Sequence, residues 1–431
     1  MPDLSIDFCG IKSPNPFWLA SAPPTNSAYQ VARAFDAGWG GAVWKTIGEP
    51  IVNVSSRYSA VHYANQRVMG LNNIELITDR PLAENLREIA DIKKRYPQNA
   101  LLVSLMVEST RAAWHDIVKR TEDTGCDGLE LNFGCPHGMS ERGMGSAVGQ
   151  VPEYACQITE WVKEVATTPV MVKLTPNVTD IRYIARAAVR GGADALSMIN
   201  TINSITGIDL DTFVPRPAVR GHSSHGGYCG PAVKPIALNM VHQVAADGQA
   251  PRRVPISGIG GIQSWSDAVE FMLLGATSVQ VCTAVMHYGF RIVEGMIEGM
   301  ENWMREKGFT CTRDFIGKSL DHVTDWGNLD LNYAIQAQID QQLCIHCGLC
   351  YIACEDGCHQ SIRMEKRNGT NYYEVIAGKC VGCNMCLLVC PVEGCIRMVD
   401  VSNGKPEMSW NQYQKLLAEG KIAPIAPPAH V

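Results

Sequence analysis

The chain has 431 residues, a formal net charge of -6 and 46% hydrophobic residues. It is longer than one ordinary domain, and its acidic balance, without a basic cluster interleaved with aromatics, argues against nucleic acid as a partner. The N-terminus, MPDLSIDFCGIKSPNP, has acidic residues and prolines where a signal peptide needs a basic start and an apolar core, and no apolar run approaches the length of a membrane span.

Short apolar, β-rich runs alternate with longer amphipathic ones over residues 1-306. Strands are predicted at Phe17 to Ala22, Ala42 to Ile47, Leu101 to Met106, Gly128 to Phe133, Val170 to Leu174, Ala195 to Thr201, Val254 to Gly258 and Ser278 to Thr283. Helices are predicted between them, among others at Arg111 to Thr124, Glu153 to Ala166, Ile181 to Arg190, Pro235 to Ala246 and Ser266 to Leu274, with glycine stops at Gly38, Gly125, Gly191 and Gly275. Eight strand-helix units predict a (β/α)8 TIM barrel. A doubly wound sheet would want a G-x-G-x-x-G turn after an early strand, and the sequence has none.

The second strand is followed by a long excursion, Gly48 to Ala100, with one helix near Leu82 to Arg95 and a polar stretch, Gly70-Leu-Asn-Asn-Ile-Glu-Leu-Ile77. Long insertions on the C-terminal face of a barrel cover the active site, so this stretch is expected over the substrate; the alternative is an interaction loop at a subunit boundary. The fourth strand runs into Glu130-Leu-Asn-Phe-Gly-Cys-Pro-His-Gly-Met139 and a glycine-rich stretch to Ser146, which places Cys135 on a loop at the catalytic end. A thiol there can donate a proton to a developing carbanion, although a lone cysteine is more often structural. Asn132, Asn73, Asn200 and Thr201 fall at strand ends or on the covering segment, and amides of this kind suit a planar ring carrying C=O and N–H groups.

The seventh strand carries Ile256-Ser-Gly-Ile-Gly-Gly261 and the eighth Val279-Gln-Val-Cys-Thr-Ala284. Glycines after these strands let backbone N–H groups approach a phosphate. Lys45, in Val43-Trp-Lys-Thr46, and Lys173, in Val172-Lys-Leu-Thr-Pro176, sit in apolar strands where an ammonium is costly unless it meets an anion or acceptor. The ring of a reduced flavin would supply one, and a phosphate-bearing flavin joined to one-electron carriers points to FMN.

Those carriers are predicted by two cysteine runs: Cys344, Cys347, Cys350 and Cys354, then Cys380, Cys383, Cys386 and Cys390 with Pro391. Each reads C-x2-C-x2-C-x3-C, the spacing of bacterial two-cluster ferredoxins, in which the fourth cysteine of each run ligates the other cluster. One 4Fe-4S cluster is therefore assigned to Cys344, Cys347, Cys350 and Cys390, and its partner to Cys380, Cys383, Cys386 and Cys354. Zinc ribbons use paired C-x2-C knuckles rather than two even quartets. Glu355 stands where the first run might also have carried proline. The other cysteines are mostly scattered singly, as in a reducing cytoplasm, and Cys358 and Cys395, close to the runs, read as packing residues. The division expected is a barrel over 1-306, a connector over 307-334, a ferredoxin-like α+β domain over 335-402 and a C-terminal arm over 403-431.

FWLASAPP, GLNNIELI, LELNFGCPHGMSERGMG, VKLTPNVTDI, INT, SGIGGI and the two cysteine runs together resemble the pyrimidine-reducing subunit of bacterial NAD-dependent dihydropyrimidine dehydrogenases and the corresponding half of the single-chain animal enzymes, over residues 4 to about 400. The resemblance implies reduction of uracil and thymine to their 5,6-dihydro forms, with hydride passing from N5 of FMN to ring C6 and Cys135 protonating C5. It implies pyrimidine contacts at Asn73, Glu75, Ile77, Asn132, Asn200 and Thr201, and flavin contacts at Ala20, Ser21, Lys45, Thr46, Lys173, Gly260, Gly261, Cys282 and Thr283. Gly134 departs from the animal enzymes, which have serine there. Because the chain shows no dinucleotide fingerprint, a separate FAD- and NAD(P)-binding flavoprotein is expected to deliver electrons from NAD(P)H, and the resemblance implies a homodimer core within a heterotetramer. The competing expectations are a dihydroorotate dehydrogenase-like enzyme, which would need a cation for the substrate carboxylate, and an electron-relay subunit without a substrate of its own.

Overall fold

The computed structural model describes residues 2-49, 52-135 and 143-424, which divide into two compact units meeting at Asp321 and His322. The first is a closed parallel barrel of β1 (Phe17–Leu19), β2 (Gly41–Ile47), β3 (Ala100–Leu105), β4 (Gly128–Asn132), β5 (Val170–Lys173), β6 (Ala195–Met198), β7 (Ile256–Ile259) and β8 (Ala276–Val281). The strands pair in chain order, and β8 returns to β1 through Val279, Gln280 and Val281 against Phe17, Trp18 and Leu19. All eight lie where the alternation of apolar runs predicts them. The structural strands stop earlier than the apolar runs at β1 and β6, so Ala20, Ser21, Asn200 and Thr201 fall in the loops beyond the strand ends.

Helices follow the strands in the expected order. Leu82–Arg95 and Ile181–Arg190 have the predicted bounds, and Arg111–Glu122, Pro152–Lys163, Lys234–Ala245 and Trp265–Leu273 differ from prediction by up to three residues at an end. Helix Ile181–Arg190 buries Ile181, Ile184, Ala185, Ala187, Ala188 and Val189 on one face; each large apolar side chain removed from water contributes about 1.5–3 kcal/mol. Gly38 stops its helix in the left-handed conformation at φ 111°. Gly191 does not: its φ is -68°, and the left-handed turn falls on Gly192 at φ 99°.

Two features were not predicted. An antiparallel hairpin, Ile6–Phe8 with Ile11–Ser13, buries Ile6, Phe8 and Ile11 against Trp18, Val43, Leu102, Met171 and Ala195, closing the N-terminal mouth. A four-stranded antiparallel sheet combines Tyr58–Tyr63 and Gln66–Asn73 from the excursion after β2 with Ile202–Ser204 and Gly226–Cys229 from a second excursion after β6. Pairing of Asn73 with Gly227 brings the two excursions together.

The stretch 307-334 is not a plain connector. Phe315 is fully buried in the barrel core and packs edge-on against Trp303 at 5.0 Å, so the residues up to 321 belong to the first unit. The second unit pairs Ile335–Ile339 with Ile396–Asp400 and folds Ile362–Arg367 against Thr370–Val375. Part of the expected arm also packs: Trp410–Ala418 is a helix, Trp410 meets Trp326 at 6.1 Å, and Leu331 N donates to Met408 O. Among the described residues no helix is long and apolar enough to cross a membrane.

Candidate active site and cluster sites

The C-terminal ends of the barrel strands surround a cavity. Every residue expected at the flavin and pyrimidine contacts, from Ala20 to Thr283, lines it, and so does Cys135. The convergence follows from the fold, because βα loops from different strands meet at one face. Residues 136-142 of the loop after β4 lie outside the described residues.

Lys45 and Glu75 are buried and paired at 2.6 Å. A protein carboxylate thus supplies one acceptor for the buried ammonium of Lys45. Glu75 Oε1 also accepts from Arg57 Nη1 at 3.0 Å, and its Oε2 accepts from the Tyr58 hydroxyl at 2.5 Å. Burial raises the Tyr58 hydroxyl well above the ordinary phenol range, and the Glu75 bond adds to the shift. Lys173 stands 3.6 Å from Glu130, a fully buried carboxylate on β4.

The amides form a chain. Asn132 Nδ2 donates to Thr46 Oγ1 at 3.0 Å, Asn200 Nδ2 donates to Asn132 Oδ1 at 3.1 Å, and Thr201 N donates to Asn200 Oδ1 at 2.8 Å. Thr46 meets Ser21 at 3.2 Å and Ser104 at 2.9 Å, and Asn73 Nδ2 donates to Gly227 O at 3.0 Å. Their orientations are thus set before any ligand arrives. Cys135 is buried with Ile77, Met106 and Met144, and its carbonyl accepts from Ser146 N at 3.0 Å. Burial pushes the thiols of Cys282 and Cys229 up to about 12 and about 11, which keeps both protonated near neutrality.

The residues present fit a phosphate-bearing flavin. Gly260 and Gly261 adopt φ 132° and 75°, a backbone that side chains disfavour, in the loop after β7. Gln280 lines the same cavity and carries a buried Oε1 that accepts no hydrogen bond. Sequence reasoning missed Arg57, Tyr58, Glu130 and Gln280. The argument applied to the lysines, a charge inside an apolar strand, would have found Glu130.

In the second unit, one cavity is lined by Cys344, Cys347, Cys350 and Cys390, and another by Cys380, Cys383, Cys386 and Cys354. Each loop takes a left-handed backbone at equivalent positions, His346 and Gly348 in the first and Gly382 and Asn384 in the second. A quartet of thiols, three from one run and the fourth from the other, suits a 4Fe-4S cluster. Cys395 lies beside the first quartet and is buried, whereas Cys358 is half-exposed. In the first run the helix extends through Glu355, Leu349–Glu355; in the second it ends at Leu388, ahead of Pro391. The residue in place of proline therefore lengthens the helix and leaves Cys354 at its cavity.

A barrel with this mouth, followed by a two-cluster unit, defines an iron–sulfur oxidoreductase of the flavin-barrel class. The family model described as dihydroorotate dehydrogenase matches residues 3–304, and the 4Fe-4S dicluster domain matches 337–398. The chain belongs to the dihydroorotate dehydrogenase family and, within it, to the dihydropyrimidine dehydrogenases. It is 43% identical to the NAD-dependent dihydropyrimidine dehydrogenase subunit PreA of Escherichia coli K12 over 94% of this chain and 97% of that one. It is 42% identical to the chloroplastic dihydropyrimidine dehydrogenase (NADP(+)) of Arabidopsis thaliana over 75% and 78% of the two chains. The catalytic subunit of dihydroorotate dehydrogenase B from Pyrococcus horikoshii is 36% identical over 74% of this chain and 98% of its own. A crystal structure of DHODH from Eimeria tenella in complex with ferulenol shares the fold, with a TM-score of 0.61 at 19% identity over 75% of this chain and 90% of that one.

Proposed function

We propose that the chain reduces uracil and thymine to their 5,6-dihydro forms. The observation that carries this reading is the convergence, in one cavity, of a thiol, a chain of oriented amides, a carboxylate and two buried lysines. FMN, when bound, supplies the hydride that reaches C6 of the ring.

The remaining work falls to the chain. Asn73, Asn132, Asn200 and Thr201 present donors and acceptors to the ring edges, and Glu75 accepts a ring N–H. Cys135 holds the proton that goes to C5 as the C5=C6 double bond is lost, and solvent restores that proton afterwards. Ile77, Met106 and Met144 pack around Cys135. Lys45, Lys173, Ala20, Ser21, Thr46, Gly260, Gly261, Cys282 and Thr283 hold the flavin, with phosphate at the glycine pair. The two cysteine quartets hold 4Fe-4S clusters, which supply single-electron transfer. A separate flavoprotein carrying FAD and oxidising NAD(P)H delivers the electrons, in an assembly built on a homodimer of this chain; the relative PreA is named as a subunit, which supports a second component.

The test is anaerobic. The purified chain with reconstituted clusters is reduced with dithionite, and its flavin and cluster absorbance is followed on adding uracil, thymine or orotate. Reoxidation by uracil and thymine is the expected result. Reoxidation by orotate alone would assign the chain to dihydroorotate chemistry, and response to none of the three would refute substrate reduction.

A further inference from the structure

Beneath the cavity the barrel holds a carboxylate that the proposed reaction leaves without a task. Glu130 is on β4 and has no exposed surface. Its Oε2 accepts from Ser197 Oγ at 2.9 Å and from Gln280 Nε2 at 3.3 Å. Its Oε1 has no hydrogen-bond partner and stands 3.6 Å from the Lys173 ammonium. Gln280 donates also to Ser257 Oγ at 3.2 Å, and that hydroxyl accepts from Ser278 Oγ at 2.9 Å. Lys173 and Gln280 line the cavity, whereas Glu130 lies behind them.

A buried carboxylate is costly unless it is paired and hydrogen-bonded. The serine and glutamine bonds fix one oxygen, and the other faces the ammonium at a separation too long for a hydrogen bond. The contact is therefore Coulombic, and it leaves the three N–H donors of Lys173 uncommitted to Glu130. A carboxylate used only to neutralise the lysine would gain more from closing to hydrogen-bond distance, as Glu75 does with Lys45 at 2.6 Å.

We infer that Glu130 is a positioning residue that sets the electron affinity of the flavin through Lys173. It anchors the ammonium from behind and offsets part of its charge, so that the lysine stabilises negative charge on the cofactor less than an unopposed lysine would. The inference rests on the flavin reading above. Its sign is fixed: removing the carboxylate makes the site more positive and the bound flavin easier to reduce. Gln280, with donors toward Glu130 and Ser257 and an unpaired acceptor in the cavity wall, holds the carboxylate in place from the cofactor side.

The test compares flavin-loaded parent and Glu130→Gln protein by dye-coupled reductive titration and by sulfite binding, since sulfite adds to flavin N5 and the adduct carries negative charge. Glu130→Gln should shift the reduction equilibrium about tenfold toward the reduced form, about 30 mV for a two-electron couple. It should tighten the sulfite adduct by a similar factor. Glu130→Asp, which withdraws the charge from Lys173 while keeping it, should shift both in the same direction by less, and it gives the answer if the glutamine variant does not fold. A role confined to packing would lower the melting temperature or the flavin content without moving either equilibrium of the flavin that remains bound. Equilibria within twofold of the parent in a flavin-loaded variant would overturn the role of Glu130 alone. A parent chain that binds no FMN would overturn the flavin reading and this inference together.

Discussion

A branched side chain at Gly134 is expected to damage the pyrimidine site without touching Cys135 chemically. An added Cβ would stand 2.4 Å from Asn200 Nδ2, 2.5 Å from its Cβ and 2.7 Å from its Cγ. Contact with the Cβ means that rotating the amide away is not enough, and the Asn200 backbone is tied down because its N–H donates to Leu174 O at 3.0 Å. The displacement breaks two ordered bonds, Asn200 Nδ2 to Asn132 Oδ1 and Thr201 N to Asn200 Oδ1. Each such bond contributes about 0.5–1.5 kcal/mol. Gly134→Val, whose branched side chain adds to that contact, should therefore lower kcat/KM for uracil by about 10- to 100-fold, mainly through KM, because the orienting contacts are lost and the proton donor is kept. The assay is steady-state reduction of uracil by chemically reduced protein, with the melting temperature measured alongside. A folded Gly134→Val protein with kcat/KM within twofold of the parent would refute the steric argument.

Cys135→Ala should slow reoxidation by uracil by about 10²- to 10⁴-fold, the range for loss of a general acid, while a uracil titration of the oxidised flavin spectrum shows binding little changed. Cys354→Ala should remove the cluster lined by Cys380, Cys383 and Cys386 and leave the one lined by its own run. Iron content would fall by roughly half, and loss of the spectroscopic signal assigned to the other quartet would refute the crossed arrangement. Phe315→Ala should destabilise the barrel unit by about 3–5 kcal/mol, read as a lowered flavin-release temperature, because the ring is fully buried against Trp303 and Phe309. An unchanged release temperature would show that residues after 307 are dispensable to the barrel.

The barrel was legible because its strands are short apolar runs between amphipathic helices, and that period survives whatever the loops do. The cluster cavities were legible from spacing alone, since three thiols two residues apart leave the loop little choice of geometry. The sheet over the mouth was not, because Gln66–Asn73 and Gly226–Cys229 pair across more than 150 residues, and Tyr58–Tyr63 and Gly226–Cys229 carry an irregular pattern of burial. Their register depends on close approaches that composition does not announce: a Cβ on Gly227 would meet Thr201 Oγ1 at 2.2 Å, and one on Gly70 would meet the Tyr228 hydroxyl at 1.8 Å. Arg57 and Tyr58 escaped for the same reason, as their role comes from lying beside Glu75 and not from any motif of their own. The boundary near 307 was misread because glycines at 308 and 317 look like a linker, although Phe309, Phe315 and Ile316 return to the core between and beside them.

The charge pattern of the mouth bears on which ring it takes. Lys45 and Arg57 share Glu75, and Arg57 Nη2 reaches Asp79 at 3.4 Å; Lys173 faces Glu130. Each of these three cations thus has a carboxylate within 4 Å. A substrate carboxylate such as that of dihydroorotate would have to displace one of those carboxylates or be buried beside it, and either costs several kcal/mol. A neutral pyrimidine needs only donors and acceptors, which Asn73, Asn132, Asn200 and Thr201 provide at the same mouth. The matched charges therefore favour the neutral ring on electrostatic grounds independent of the family likeness, and an added cation near Glu75 is the change that would open the site to the acid.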